Sequence, residues 1–354
     1  MERVLMKGTE ACAEAAIKAG CRYFFGYPIT PQNEVASYMS KRMPEVGGVY
    51  LQGESELASI NMVMGASAAG ARAMTSSSSP GISLMQEGIS YMVGCQLPGV
   101  IVNFVRGGPG LGGIGPAQSD YLQATKGGGH GDYNLVVLGP SSIQELVDLM
   151  KDAFEIADRY RNPVLILADG IIGQMMEAVQ FKFEIDPTTL PDKTWALDGA
   201  KGRTKRLINS LDLVPERLEQ HNWNLQAKFA QAAETELRWE EFLLDDAETV
   251  LVCFGTVARI AKKAIENARQ KGIKVGMIRP ISLWPFPQAP FQKVMAGAKR
   301  FLVVEMNAGQ MLQDVRLAVC CQRPIRFSGK PGGTTFNPEM IEKLIWDLEE
   351  EGSR

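Results

Sequence analysis

Through the first 170 residues, short apolar segments of strand length alternate with stretches of helical patterning, and this alternation limits the fold more than any other property of the chain. Strands separated by helices must run parallel, and a parallel sheet buries both of its faces under those helices. The apolar segments fall near Tyr23–Tyr27, Val49–Gln52, Ala71–Ser76, Val100–Val105, Leu135–Leu138 and Val164–Ala168. Between them, Thr9 with Glu10 opens a helix over Ala11–Ala19, and Pro31 suits a helix's first turn. Ser141 and Ser142 precede Gln144 and Glu145 as in a capping box.

From Asp186 to His221 the pattern breaks into prolines and basic residues (DPTTLPDKTWALDGAKGRTKR), which reads as a long surface connection. Residues 223–244 then look helical. A second alternation follows: strand Thr249–Phe254, helix Ala258–Lys271, strand Val275–Ile278, a helix near Phe291–Ala298 and strand Phe301–Glu305. The expected division is an α/β domain over residues 1–185, a linker and connecting helix over 186–245, and a second α/β domain over 246–354.

Composition removes several function classes. With 354 residues, 45% apolar and 22% charged, the chain can bury two cores without staples. Apolar runs such as Gly99–Val105 fall well short of the ~18 residues of a membrane span. The N-terminal MERVLMKGTEACAEA carries charge where a secretory signal would be apolar, so a mature cytoplasmic start is expected. A net charge of −3 makes no electrostatic case for nucleic acid. Six cysteines, at 12, 21, 95, 253, 320 and 321, form no C-x-x-C pair, so reduced, mostly buried thiols are expected and no metal site. The two histidines, His130 and His221, leave little for a Ser-His-Asp hydrolase, and His221 sits in a polar stretch that suits the surface.

The chemistry concentrates in three places. In residues 54–81, ESELASINMVMGASAAGARAMTSSSSPG, two carboxylates precede a run of small residues that permits close approach by a flat ligand. Glu54 and Glu56 follow a strand; the helix dipole alone would explain either one. Ser76–Ser79 could cradle a phosphate, but no lysine or magnesium-binding pattern follows. The segment GGPGLGGIG holds G-x-G-x-x-G from both Gly108 and Gly110. Pro109 and Pro116 bracket it, however, and no acidic residue ends a second strand about 20 residues later, so a loop closing over a ligand fits better than dinucleotide binding. Arg106 ends the preceding strand, where open α/β sheets bind ligands, and can grip a carboxylate or phosphate or form a surface ion pair. Thr30, in GYPITP, follows another strand and either caps a helix or meets a ligand. His130 lies in a second glycine-rich loop, KGGGHGDY, and can donate to a ligand there.

Taken in order, GYPITP, the 54–81 segment with ISL after it, VRGGPG, QATKGGGHGD, IRPISLWPFP and VEMNAGQ resemble the alpha subunits of the 2-oxoacid:ferredoxin oxidoreductases, nearly end to end. Within that family the match is to the branched-chain 2-oxoacid type. The resemblance implies a pyrimidine-binding-type domain of thiamine diphosphate enzymes followed by a transketolase C-terminal-like domain. It implies oxidative decarboxylation of a 2-oxoacid, with electrons passing to iron–sulfur clusters and the acyl group to coenzyme A. Counting back from Gly65 and Ala68-Ala69-Gly70, the carboxyl group that faces N1′ of the cofactor's aminopyrimidine is Glu56, with Pro28 and Ile29 beside the cofactor. Thr30 and Arg106 match the positions that hold the 2-oxocarboxylate, and Gly108, Gly110 and His130 are expected loop contacts.

One element of the thiamine pattern is missing. The Gly-Asp-Gly segment that holds the diphosphate through Mg2+, with Asn 25 to 30 residues on, is approached only by Ala168-Asp169-Gly170, after which no Asn follows until Asn209. The resemblance therefore implies a separate beta subunit with the diphosphate-binding domain and Mg2+, a ferredoxin-like delta subunit with the clusters, and a gamma subunit. Ferredoxin is the expected acceptor, and this chain would be inactive alone. The pyruvate and 2-oxoglutarate versions of the complex, and a noncatalytic assembly subunit, stay open at this point.

Overall fold

The computed structural model describes residues 3–352; Met1 and Glu2, at the head of the charged N-terminal stretch, lie outside them. The chain starts with β1 (Val4–Lys7), α1 (Gly8–Lys18), β2 (Tyr23–Gly26), α2 (Asn33–Glu45), β3 (Val49–Gln52), α3 (Glu56–Ala68), β4 (Ala73–Ser77) and α4 (Ser79–Gly94). It continues through β5 (Gly99–Val105), α5 (Tyr121–Thr125), β6 (Val136–Leu138), α6 (Ile143–Tyr160), β7 (Pro163–Asp169), α7 (Gly170–Gln174) and β8 (Met176–Val179). The remainder is α8 (Pro215–Thr235), β9 (Trp239–Phe242), β10 (Thr249–Val252), α9 (Gly255–Gln270), β11 (Val275–Pro280), β12 (Ser282–Trp284), α10 (Ala289–Val294), β13 (Arg300–Glu305), α11 (Met311–Val319), β14 (Ile325–Gly329) and α12 (Pro338–Gly352).

Two large sheets organise most of these elements, and β1 pairs antiparallel with β8 in a separate two-stranded ribbon. The seven-stranded sheet has the order β12-β6-β7-β5-β4-β2-β3, and the five-stranded sheet has the order β14-β13-β10-β11-β9. Strand β5 shows how sequence becomes layering. Its run GVIVNFV is buried throughout because side chains alternate between two covered faces. Val100, Val102 and Phe104 pack with α1, α2 and α6, whereas Ile101 and Val105 pack with α3 and α4. Each face thus receives an apolar row from one continuous segment.

The connections decide where a ligand can sit. After β2 the chain moves to β3 on one side; after β4 it moves to β5 on the other. Loops leaving the C-terminal ends of β2 and β4 therefore diverge and open a crevice, the position where open α/β sheets take ligands.

Several expectations need correction. Pro31 is not in the first turn of a helix: α2 begins at Asn33 with Gln32 as its N-cap, and Thr30-Pro31 is a cis peptide in the turn before it. The stretch expected as one helix over 223–244 divides, because α8 starts earlier, at Pro215, and Trp239–Phe242 is instead an antiparallel edge strand beside β11. Strand β12 leaves the second alternation and pairs antiparallel with β6 of the seven-stranded sheet. At α6 the Ser142 hydroxyl accepts from Glu145 N at 3.1 Å, while the Glu145 carboxylate accepts from Ser141 N at 2.7 Å, one residue before the cap itself. Cys12, Cys21 and Cys253 are buried, but Cys320 and Cys321 are exposed. No helix among the described residues is long and apolar enough to cross a membrane.

Candidate active site

Ser55 separates the fates of two carboxylates. As the N-cap of α3, its hydroxyl accepts from Ala58 N at 3.2 Å. The cap fixes Glu56 as the first helical residue with its side chain turned inward, 5% exposed, while Glu54 remains in the preceding loop, exposed. The Glu56 carboxylate makes no hydrogen bond or ion pair among the described residues. It lies against the start of α4: a Cβ added at Gly81 would sit 2.5 Å from Glu56 Oε1 and 2.0 Å from Ser77 Oγ. Glycine is what leaves room for that carboxylate.

The same edge holds other unspent polar groups. The hydroxyls of Thr75, Ser77 and Ser78 are buried with no partner among the described residues. Ser76 is different, donating to Gln32 Oε1 at 2.5 Å. A buried polar atom without a partner is costly, so a row of them next to an unpaired carboxylate suits a bound polar ligand. These hydroxyls and the carboxylate offer both donors and an acceptor to a polar, nitrogen-containing ligand.

Arg106 closes the crevice from the end of β5. It is 9% exposed, and it donates from Nη1 to the Thr30 carbonyl at 2.9 Å and from Nη2 to the Leu111 carbonyl at 3.4 Å. Its Nε is buried with no partner among the described residues. One guanidinium thus joins the loop after β2 to the glycine-rich loop. Its backbone is locked by reciprocal bonds with the Ser79 hydroxyl, at 3.1 and 3.2 Å. Ser79 N donates to Asn103 Oδ1 at 3.1 Å, and Asn103 in turn donates to Asp120 Oδ2 at 2.8 Å. Burial pushes the Asp120 carboxyl above its ordinary value, and hydrogen bonds from Ser79 and Asn103 offset part of that rise.

Thr30 and Pro28 are exposed at the crevice mouth, with Ile29 half-buried between them. The glycine-rich loop folds on itself: Gly107 N donates to the Gly115 carbonyl and Gly113 N to the Gly107 carbonyl, both at 2.9 Å. Gly112 has φ 59°, and a Cβ there would meet Gly107 O at 2.0 Å, so this turn needs glycine. No helix starts within the loop, unlike a dinucleotide-binding turn. Gly108 and Gly110 lie at its free tip beside Leu111, which is 88% exposed.

The structure does not bring His130 to this group. Its ring packs edge-on against Tyr91 at 6.3 Å, and its carbonyl accepts from Ser90, in the C-terminal half of α4. Ser90 is eleven residues beyond Ser79, about 16 Å along a helix. His221 is half-buried rather than on the surface, with Nε2 2.9 Å from the Gly94 carbonyl.

Asp169 has another use. Thr256 donates to it from N at 2.8 Å and from Oγ1 at 2.6 Å, and Ile171 and Ile172 N–H groups add the cap of α7. Burial raises its carboxyl, with these donors acting against the rise. It ties the two sheets together and has little left for a metal. Sequence reading missed Gln118, which bonds Phe254 O at 2.9 Å and Met306 N at 3.0 Å and so anchors the glycine-rich loop's exit to the second sheet. Nothing in the local sequence signals it.

The family model described as pyruvate flavodoxin/ferredoxin oxidoreductase, thiamine diphosphate-binding, matches residues 14–234. The chain belongs to the 2-oxoacid:ferredoxin oxidoreductases. In keeping with that family, the model for pyruvate:ferredoxin oxidoreductase core domain II matches residues 247–341. Ketoisovalerate oxidoreductase subunit VorB of Methanothermobacter thermautotrophicus is 48% identical over 345 residues, 97% of each chain. The 2-oxoglutarate synthase subunit KorA of Methanocaldococcus jannaschii is 37% identical over 367 residues, 98% of this oxidoreductase chain and 100% of its own. Among solved structures, the 2-oxoglutarate:ferredoxin oxidoreductase from Magnetococcus marinus with 2-oxoglutarate, coenzyme A and succinyl-CoA bound superposes with a TM-score of 0.85 at 27% identity. That match covers 98% of this chain and 65% of the other. A split-gene transketolase, an inactive beta4 tetramer, shares the fold at a TM-score of 0.61 and 14% identity, covering 97% of each chain.

Proposed function

We propose that this chain carries the aminopyrimidine half of a thiamine diphosphate site in a complex that oxidatively decarboxylates a branched-chain 2-oxoacid, 3-methyl-2-oxobutanoate, to acyl-CoA and CO2 while reducing ferredoxin. The observation that carries the reading is the unpaired, 5% exposed Glu56 carboxylate lying against Gly81, beside the unpartnered hydroxyls of Ser77 and Ser78. The branched-chain substrate is supported by relatives at 48% identity named for ketoisovalerate, against 37% for one named for 2-oxoglutarate. It also fits the charge of the site. The residues gathered at the crevice include one cation, Arg106, whereas a second substrate carboxylate would want another.

Thiamine diphosphate supplies, when bound, a carbanion equivalent that attacks the 2-oxo carbon. The chain's own residues set the conditions for it. Glu56 holds and exchanges a proton through a carboxylate oxygen at the pyrimidine nitrogen, and the buried hydroxyls of Ser77 and Ser78 orient the ring's polar edge. Pro28 and Ile29 pack beside the ring. Arg106 directs its free Nε–H towards the substrate carboxylate, with the Thr30 hydroxyl as second donor. The glycine-rich loop, with Gly108 and Gly110 at its tip, covers the reacting centre and excludes water.

The diphosphate and Mg2+ are assigned to a beta subunit, the iron–sulfur clusters to a ferredoxin-like delta subunit, and a gamma subunit completes a cytoplasmic assembly that also binds coenzyme A. The division into residues 1–185, 186–245 and 246–354 is retained as the domain scheme, with β9 and β12 as exchanges between its parts. The test is a substrate panel of 3-methyl-2-oxobutanoate, 2-oxoglutarate and pyruvate on the assembled complex, read by viologen reduction. The highest kcat/KM is expected for the branched substrate; preference for 2-oxoglutarate would overturn the assignment. Glu56→Gln is expected to assemble normally and to abolish hydrogen exchange at thiamine C2, and undiminished exchange would move the role to another residue.

A further inference from the structure

The N-terminal edge of the seven-stranded sheet, opposite the crevice, carries a second constellation. A cavity of about 360 Å³ opens between the end of α4, the turn into β7 and the connection before α8. Its walls include Cys95, Gln96, Arg161, Trp195, Arg206 and His221, and no Asp or Glu lines it. Three basic side chains thus face one space without a carboxylate.

Arg161 is the central group. It follows α6 in the left-handed region at φ 47°, a position that glycine fills most readily. Its guanidinium lies 4.6 Å from the Trp195 ring centroid and spends Nε on the Gln96 carbonyl at 3.2 Å. No carboxylate pairs with it among the described residues. Lys228 donates from Nζ to the Arg161 carbonyl at 3.3 Å and likewise has no acidic partner. Burial, together with the neighbouring Arg161 charge, pulls the Lys228 ammonium down to about 8. Asp158, on the far side of Trp195, is already shared by Arg72 at 2.8 Å and Lys193 at 2.7 Å. Two half-buried cations side by side repel each other, and an anion bound at Arg161 would relieve that repulsion.

The other two basic groups are placed to share that anion. Arg206 anchors to the Ala196 carbonyl at 2.6 Å and to the exposed Asp198 at 3.0 Å, leaving further guanidinium donors. His221, donating from Nε2 to the Gly94 carbonyl, keeps Nδ1 open to the cavity, where it is a donor to an anion in the imidazolium form. Two guanidiniums exceed the need of a single carboxylate and match the charge of a phosphate monoester. The volume lies within the range of small-molecule sites, about 300–1,000 Å³, and Leu207 and Ile208 supply an apolar wall.

We propose that this cavity binds a phosphorylated small molecule, with the phosphate held by Arg161 and Arg206 and closed in by His221. The site is independent of the crevice at the other edge of the sheet. Calorimetric titration of the assembled, thiamine diphosphate-saturated complex with inorganic phosphate at constant ionic strength tests it. Saturable binding is expected at one phosphate per copy of this chain, weakened about tenfold or more by Arg161→Met. Arg206→Gln, in an exposed connection, is expected to weaken it likewise and gives the same readout if Arg161→Met does not fold. Absence of saturation up to ~10 mM phosphate, or wild-type affinity in the folded variants, overturns the proposal. Binding by the isolated chain that disappears in the complex overturns it too, because a partner's own groups would then fill the cavity.

Discussion

Gly81→Ala separates the stability of the crevice from its chemistry. The added methyl would stand 2.0 Å from Ser77 Oγ, 2.5 Å from Glu56 Oε1 and 2.8 Å from Glu56 Cγ, so something must move. The neighbours are side chains, and the Glu56 carboxylate, with no hydrogen bond to keep it in place, moves at the least cost. Overpacking of this kind costs about 1–3 kcal/mol. Alanine recovers about 0.5–1 kcal/mol, since Gly81 sits inside α4 with ordinary helical backbone. The net loss is therefore at most about 2.5 kcal/mol, a few degrees in Tm. The chemical consequence is far larger, because displacing a positioned proton-transfer group costs about 10²–10⁴ in rate. The assay is deuterium exchange at thiamine C2 in the reconstituted complex, beside thermal melting and size-exclusion chromatography. Near-native melting and assembly with exchange slowed at least ~100-fold is the expected result. A folded Gly81→Ala complex that exchanges at the wild-type rate would refute the reasoning, since the carboxylate would be displaced without consequence.

Arg106→Met removes the guanidinium that faces the substrate and is expected to raise the 2-oxoacid KM about tenfold or more, a charge-assisted hydrogen bond being worth ~1.5–3 kcal/mol; an unchanged KM would leave Arg106 as a loop clamp. Arg279 is 4% exposed and bonds Glu145 at 2.8 and 2.9 Å and Glu240 at 2.7 Å, joining α6 to the second sheet. Arg279→Met takes the shared cation from both carboxylates, leaving Glu145 with Ser141 and Glu240 with Lys262, and should cost about 1–3 kcal/mol in chemical denaturation; a loss below about 0.5 kcal/mol would contradict this. Burial acts to raise the Glu240 carboxyl, but hydrogen bonds from Lys262 and Arg279 prevail and hold it below its ordinary value. Its contribution is therefore present above the unfolded value of about 4.3 and is lost as pH falls through the lower folded value. Glu240→Gln should flatten the fall in stability below about pH 4.3, and parallel acid-denaturation curves for variant and wild type would refute that.

Much of the first sheet was legible because period and length coincide there. A parallel strand buried on both faces is a short continuous apolar run, and β5 accordingly differs by only one residue at its start; β3 also lies at Val49–Gln52 as expected, although its edge position leaves it largely exposed. The second half was harder to read. Trp239–Phe242 is half-buried and continues the polarity of the helix before it, so nothing local marks it as a strand. Only its ladder with β11, Phe242 opposite Met277 through Trp239 opposite Pro280, makes it one.

By itself, the sequence determined the local rules: where apolar runs alternate, where the small residues and glycines lie, and the order of motifs that matches the family from end to end. Tertiary structure decided what each polar group is free to do. Glu54 and Glu56 are two residues apart, yet the Ser55 cap and the Gly81 gap leave one exposed and the other buried without a partner. Arg106 and Asp169 both end strands of one sheet. Arg106 keeps a free Nε at the crevice, whereas Thr256 of the second α/β unit takes up Asp169. The reason is physical: periodicity is a property of neighbouring residues, but the availability of a charge depends on partners brought in from distant parts of the chain.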